Sequence, residues 1–263
     1  MISLIIPIKN KKSNLKKSLM SVLLQVCNKD INIIVVFKSQ ELKNYYNNII
    51  SLFDNKLKIK VIVKNNLLMQ SALNLCDNKY VMFLKENDFF YDAFSVDSLI
   101  KCIVNNEYDF VYGNSVILNE DYSYSSVDNE YLLLTGKLFS IDYLSNNNNI
   151  CIDNENSDYN IDFVSKCFLL SSNYLYVDSI VCVNNSFDYS IVNNLEVIVN
   201  SAIDIYYLFN GKIQTILIKN YINNFINYIY KIFINNMHIV SLSDFNRIIV
   251  PLEKVCKELF IEV

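Results

Sequence analysis

Glycine is nearly missing from this chain: there are three in 263 residues and none before Gly113. Glycine alone enters the left-handed region freely and lets backbone close on a phosphate. A glycine-rich phosphate cradle is therefore excluded from the N-terminal half. Tryptophan is absent, and proline occurs only at Pro7 and Pro251. A single histidine, His238, rules out a site built on several imidazoles; near a helix end it is expected to be structural. Arg247 is the only arginine, and the net charge is −4. Neither fits a nucleic-acid surface, which shows clustered basic residues and usually arginine. No apolar run approaches the roughly 18 residues of a membrane span. The seven cysteines are odd in number and show no CxxC spacing. The start reads as a strand and not as a basic-then-apolar leader, so reduced thiols and a cytoplasmic setting are expected.

What is present is the material of a core. Hydrophobic residues make up 52% and charged ones 19%, so the chain folds and does not behave as a disordered segment. Apolar, β-branched runs at Ile2–Ile8, Asn32–Phe37, Lys58–Val63 and Tyr80–Leu84 read as strands. Helical spacing fills the gaps: Leu15, Leu19, Val22 and Leu23 behind a Ser13 cap, then Glu41–Leu52 and Leu67–Cys76. This alternation predicts an α/β fold with a mostly parallel sheet flanked by helices. Further on, a helix is expected near Ser95–Asn105, short strands at Tyr108–Val111 and Tyr174–Val177, and a helix at Asp162–Leu170. From Asp188 the pattern is helical, with later helices at Gln214–Met237 and at Leu242–Ile261, the last interrupted by Pro251. Two regions are expected, 1–185 and a helical C-terminal extension, 186–263. Lys9, Lys11, Lys12, Lys16 and Lys17 form the one local excess of positive charge. It fits the solvated face of the first helix, or contact with acidic headgroups or phosphates.

Five blocks, in order, resemble one family. MISLIIPIKN with the helix and strand that follow, VMFLKENDFF (Val81–Phe90), EYDFVYGNSVILNED (Glu107–Asp121), GKLFSIDYL (Gly136–Leu144) and IDFVSKCFL (Ile161–Leu169) are similar to segments of family 2 glycosyltransferases of the GT-A fold. The likeness covers about residues 1–183. It implies a nucleotide-sugar site at the carboxyl ends of the strands. It also implies a divalent metal, Mn²⁺ or Mg²⁺, between the diphosphate and an acidic loop, and a carboxylate that deprotonates the acceptor hydroxyl.

The same resemblance locates losses. The acidic pair that follows the second strand in the family is Phe37-Lys38 here. The segment carrying an arginine is Leu68-Met69-Gln70. The DSDD-like loop is Lys85-Glu86-Asn87-Asp88, with lysine at the first carboxylate position. The acid pair that holds the base falls on Tyr159-Asn160, leaving Asp158 and Asp162 as base candidates. The basic segment after the Val177 strand is Cys182-Val183-Asn184-Asn185. Pro7, Asn10, Lys38 and Lys85 remain as donor-site candidates, and Asp88 and Glu86 as metal candidates.

Two functions stay open. One is a family 2-like protein of bacterial surface-glycan biosynthesis with its donor site degraded. It would be a non-catalytic partner that pairs through its C-terminal helices with another glycosyltransferase subunit or a second copy. The other is a working transferase that uses a nucleotide-sugar and a glycan acceptor at an altered, metal-independent site. Either is expected in the cytoplasm or peripherally at the inner face of the membrane.

Overall fold

A computed structural model of the chain describes residues 2–66, 68–118, 122–126, 133–147, 150, 161–184, 191–235 and 242–259. The strands are β1 (Ile2–Ile8), β2 (Ile31–Phe37), β3 (Lys58–Val63), β4 (Tyr80–Phe83), β5 (Phe89–Phe90), β6 (Phe110–Leu118), β7 (Tyr124–Ser126), β8 (Lys137–Ser140) and β9 (Tyr174–Asn184). The helices are α1 (Leu15–Leu23), α2 (Gln40–Ser51), α3 (Leu68–Leu73), α4 (Ser95–Ile103), α5 (Ile141–Asn146), α6 (Ile161–Leu170), α7 (Ile191–Phe209), α8 (Thr215–Asn235) and α9 (Leu242–Glu258). Two compact units emerge. One comprises Met1–Val127, Leu133–Asn160 and Ser171–Ser186; the other comprises Asp128–Leu132, Ile161–Leu170 and Phe187–Val263.

The first unit is an α/β sheet in the order β3-β2-β1-β4-β8-β6-β9-β5, with β7 beside β6. The β3-β2-β1-β4 half is parallel throughout, while β8 joins β4 and β6 antiparallel. Every residue of β1 is buried, as expected of a central parallel strand covered on both faces. Its even positions, Ile2, Leu4, Ile6 and Ile8, share a core with Leu19 of α1, Tyr46 of α2 and Leu99 of α4. On the other face, α3 packs against β1 and β2.

Pro7 sits in this central strand without costing a ladder bond. Pairing with β4 spans only Ile2–Ile5, and the last bond on that side runs from Leu84 N to Ile5 O. The alternation of the strand points the missing Pro7 N–H to that same side, beyond the end of the pairing. There β1 and β4 diverge, and each delivers a loop, 9–14 and 85–88, to the carboxyl edge of the sheet.

Several elements differ from the sequence reading. The strands expected at Tyr108–Val111 and Tyr174–Val177 extend to Leu118 and Asn184, because β6 and β9 pair in parallel past an irregularity at Gly113–Ser115. Asn114 Nδ2 donates to Asp178, and Tyr176 Oη donates to Asn114. These bonds satisfy the polar residues that blur the apolar pattern. Gly113 is required here, since a Cβ would lie 2.4 Å from Val181 and 2.8 Å from the Ser179 carbonyl. The cap of α1 is Asn14, whose Oδ1 accepts from Lys17 N at 3.3 Å, and not Ser13. Pro251 lies inside α9, which continues through it.

The second unit is helical. α7 packs with α6, α8 and α9, burying Leu195, Ile198, Val199, Ala202, Ile205 and Tyr206. Arg247 pairs with Glu196 at 3.2 Å, and Tyr206 Oη donates to Glu258 at 3.0 Å. His238 lies outside the described residues.

Candidate functional site

The loops that leave β1 and β4 meet, and one side chain joins them. Glu86 is half-buried and accepts three hydrogen bonds from the β1–α1 loop. Its Oε2 takes Lys9 N at 3.0 Å and Ser13 Oγ at 2.7 Å, and its Oε1 takes Asn10 Nδ2 at 3.0 Å. Asn10 completes its own turn by accepting from Lys12 N at 2.8 Å. Asn87 is engaged as well, its Oδ1 accepting from Asn14 N at 2.8 Å. The 85–88 loop is a tight turn closed by Asp88 N on Lys85 O, and Ser18 Oγ donates to Asp88 O at 2.8 Å. Each neighbour of Asp88 therefore spends its polar atoms on holding the two loops together.

Asp88 itself is fully buried. The same unit buries further polar groups that seldom share an interior, among them Ser115, Thr135, Lys137 and Asn184. Lys137 Nζ donates to the Leu133 carbonyl at 2.7 Å and stands over the Tyr112 ring. Burial first, and then the charge of Asp88, push the Cys182 thiol up. A buried carboxylate and a buried ammonium thus flank an inert thiol.

At the end of β2, Phe37 is buried and stacks on Tyr46 at 5.9 Å. Tyr46 Oη donates to Ser13 O at 2.8 Å, fastening α2 to the β1–α1 loop; burial pushes its phenol up. Lys38 is exposed, with its amide bonded to Ile8 O. Its neighbour Ser39 caps α2 through Leu42 N. In α3, Leu68 and Met69 are buried, and Gln70 bonds to Asn74. Cys182, Val183 and Asn184 belong to β9 and are buried in the sheet, so the segment expected to be a basic loop is core.

The structure thus brings Asn10, Glu86 and Asp88 to one place at the carboxyl ends of β1 and β4, with Pro7 beneath them and Lys85 half-buried in the same turn. Asp162 belongs to the other unit, on α6, where it pairs with Lys166 at 2.7 Å. Asp158 lies outside the described residues, as do Tyr159 and Asn160. Sequence reasoning missed Ser13, Ser18 and Tyr46 as members of this region. Ser13 carried a signal, but a local one, and it was read as a helix cap.

A hard divalent cation needs several convergent oxygen ligands. The loop offers a lysine first, then a carboxylate and an amide oxygen already bonded to protein donors, then an enclosed carboxylate. Among the described residues no group of three or more His, Cys, Asp or Glu could hold a metal ion. These residues do not fit the metal of the family.

A parallel half-sheet with helices on both faces, whose strand order reverses direction between β1 and β4, defines an open α/β fold. The family model described as Glycosyl transferase family 2 matches residues 3–168, well over half of the chain, and the protein belongs to this family. Its fold is that of the GT-A glycosyltransferases. S. aureus TarS 1–349 in complex with UDP-GlcNAc is similar, with 15% identity and a TM-score of 0.67, over 98% of this chain and 81% of that one. The mannosyltransferase PcManGT from Pyrobaculum calidifontis, in complex with GDP-Man and Mn²⁺, is also similar. It shares 9% identity with a TM-score of 0.62, over 98% of this chain and 84% of that one. No curated protein matches the sequence. No helix among the described residues is long and apolar enough to cross a membrane.

Proposed function

We propose that this family 2 protein does not transfer sugar by the metal-dependent route and serves as a non-catalytic partner in bacterial surface-glycan assembly. The observation that carries this reading is the use of Glu86 as a clamp. A carboxylate that accepts three protein hydrogen bonds has little left to offer a metal, and the lysine before it repels one. Stacked Phe37 and Tyr46 support the same reading, because Phe37 offers no acceptor to a ribose or base and the Tyr46 hydroxyl is turned to Ser13 O. The helical unit supports the partner role: Tyr207, Ile216, Leu217, Ile234 and Val250 on α7, α8 and α9 are exposed. They fit pairing with an active transferase or a second copy.

A second reading has its own observation. Lys38 is exposed and Lys85 half-exposed at the carboxyl ends of β2 and β4, where two ammonium groups could hold a diphosphate without metal. Asp158 or Asp162 would then be the base, and a nucleotide-sugar the donor, as in the complexes of TarS and the mannosyltransferase. Mn²⁺ or Mg²⁺ on Glu86 and Asp88 would require the clamp to open.

Thermal melting of the full chain with UDP-, GDP-, CDP- and dTDP-sugars, each with Mn²⁺ and with EDTA, separates the readings. A ligand at about a hundred times its Kd stabilises by about 2.7 kcal/mol. The non-catalytic reading expects no shift. A shift that needs Mn²⁺ overturns it, and a shift that survives EDTA and vanishes in Lys38→Ala with Lys85→Ala establishes the lysine site.

A further inference from the structure

Lys16 and Lys17, two members of the lysine excess, take no part in the Glu86 clamp and border an apolar groove in the same unit. This groove, of about 590 Å³, runs between α1 and the segment 89–93, and Lys16, Lys17, Met20, Leu24, Phe89 and Tyr91 line it. Its floor is closed by buried Phe90. Leu24, which lines it, is 61% exposed, and outside the groove, close in sequence to its margin, Val26 and Phe94 are each 59% exposed. Val26 N bonds to Ala93 O at 2.7 Å, so Val26 and Phe94 sit side by side and extend the patch past the end of α1. Tyr124 meets Tyr91 edge-on at 5.7 Å and adds an amphipathic ring to the same rim.

The charge around this patch is one-sided. Among the described residues neither Lys16 nor Lys17 makes an ion pair; the Lys17 ammonium lies over the Phe89 ring at 3.7 Å. The one carboxylate lining the groove, Asp92, turns to α4 and accepts from Phe94 N and Ser95 Oγ. Lysines in the first turn of α1, with no acidic residue there, oppose the helix dipole, so helix stability does not account for them.

We propose that this patch docks on the surface of an anionic lipid bilayer, with Lys16 and Lys17 against headgroup phosphates and Leu24, Val26 and Phe94 inserted below them. Two features favour a bilayer over an acidic partner helix. Two of the three most exposed apolar side chains of the patch, Val26 and Phe94, lie outside the groove, free to enter acyl chains, whereas a helix-binding groove presents its apolar groups within it. Exposed aliphatic and aromatic residues beside adjacent lysines are also the pattern of interfacial attachment. The proposal stands independently of how the donor site is read.

Cosedimentation of the full chain with phosphatidylcholine vesicles, with and without phosphatidylglycerol, tests it. Each lysine near such a surface strengthens partitioning about fivefold, so Lys16→Gln with Lys17→Gln should weaken binding to the anionic vesicles about 25-fold. Leu24→Ser with Phe94→Ser should weaken it further at unchanged charge. All four positions are at the surface, and unchanged circular dichroism and melting confirm that the variants fold. Failure to bind anionic vesicles overturns the proposal, as does binding that ignores both double variants. A chain that ignores vesicles but changes its sedimentation coefficient in Leu24→Ser with Phe94→Ser would make the groove an interface between copies, and this too overturns it.

Discussion

Replacing Glu86 by alanine has opposite consequences under the two meanings that its carboxylate can have. A metal ligand in a metal-free protein is a negative charge held near others, and removing it relieves repulsion, so the protein melts higher or unchanged. A clamp works the other way. Ser13 is buried, and its hydroxyl would exchange a charged acceptor at 2.7 Å for the Asn10 carbonyl at 2.9 Å, a loss at the low end of roughly 1.5–3 kcal/mol. Lys9 and Asn10 are exposed, so their freed N–H groups rehydrate and each bond costs only about 0.5–1 kcal/mol. The total is about 2.5–5 kcal/mol, and the half-exposed position of Glu86 favours the lower end. For a chain of this length Tm then falls by about 5 °C, at about 2 °C per kcal/mol. The assay is differential scanning fluorimetry in EDTA. Glu41→Ala is the control: it removes an exposed, solvent-screened partner of Lys11, so its melting temperature should stay near that of the wild type. A Glu86→Ala protein that melts at or above the wild-type temperature, together with a wild type stabilised by Mn²⁺, would refute the clamp.

Gly113→Ala should destabilise by about 1–3 kcal/mol. The new methyl meets a carbonyl of the neighbouring strand that cannot move aside, and an unchanged denaturant midpoint would show that β6 and β9 are not paired in this way. Tyr46→Phe keeps the ring on Phe37 but takes the donor from the Ser13 carbonyl, and should lower stability by about 1–1.5 kcal/mol in the same titration; no change would mean that the hydroxyl does not fasten the loop. Stability should also fall as pH rises above about 9. Burial pushes the Cys182 and Cys256 thiols up and Tyr206 to about 12. The unfolded chain therefore loses those protons first, the folded state binds more protons, and the slope of unfolding free energy with pH is negative. Lys17, whose ammonium burial pulls down, works in the opposite sense as one partly exposed group. A denaturant midpoint that is constant between pH 8.5 and pH 10.5 would refute the burial of these groups.

What could be read from the sequence was whatever is written locally. β1 announces itself because a strand buried on both faces must be apolar at every position, and the helices between the parallel strands follow from 3.6-residue spacing. The antiparallel half was harder. β5 and β7 are two and three residues long, too short to show any period, and β9 carries Asp178 and Ser179 in mid-strand because Asn114 of β6 and Ser98 of α4 supply polar partners. The resemblance pointed to Phe37, Lys85 and Asn87 as departures from the family's pattern, but not to what Glu86 bonds instead. Ser13 looks like a helix cap, standing just ahead of the helical spacing that begins at Leu15, yet its hydroxyl goes to Glu86, 73 positions away. Only the adjacency of β1 and β4, set by Ile2–Ile5 pairing with Tyr80–Phe83, brings the two within reach. On the non-catalytic reading proposed above, the site binds itself where a transferase would bind metal, yet it keeps its acidic residues and its strand ends, so its sequence still resembles a transferase. The difference lies in which donors the carboxylate meets.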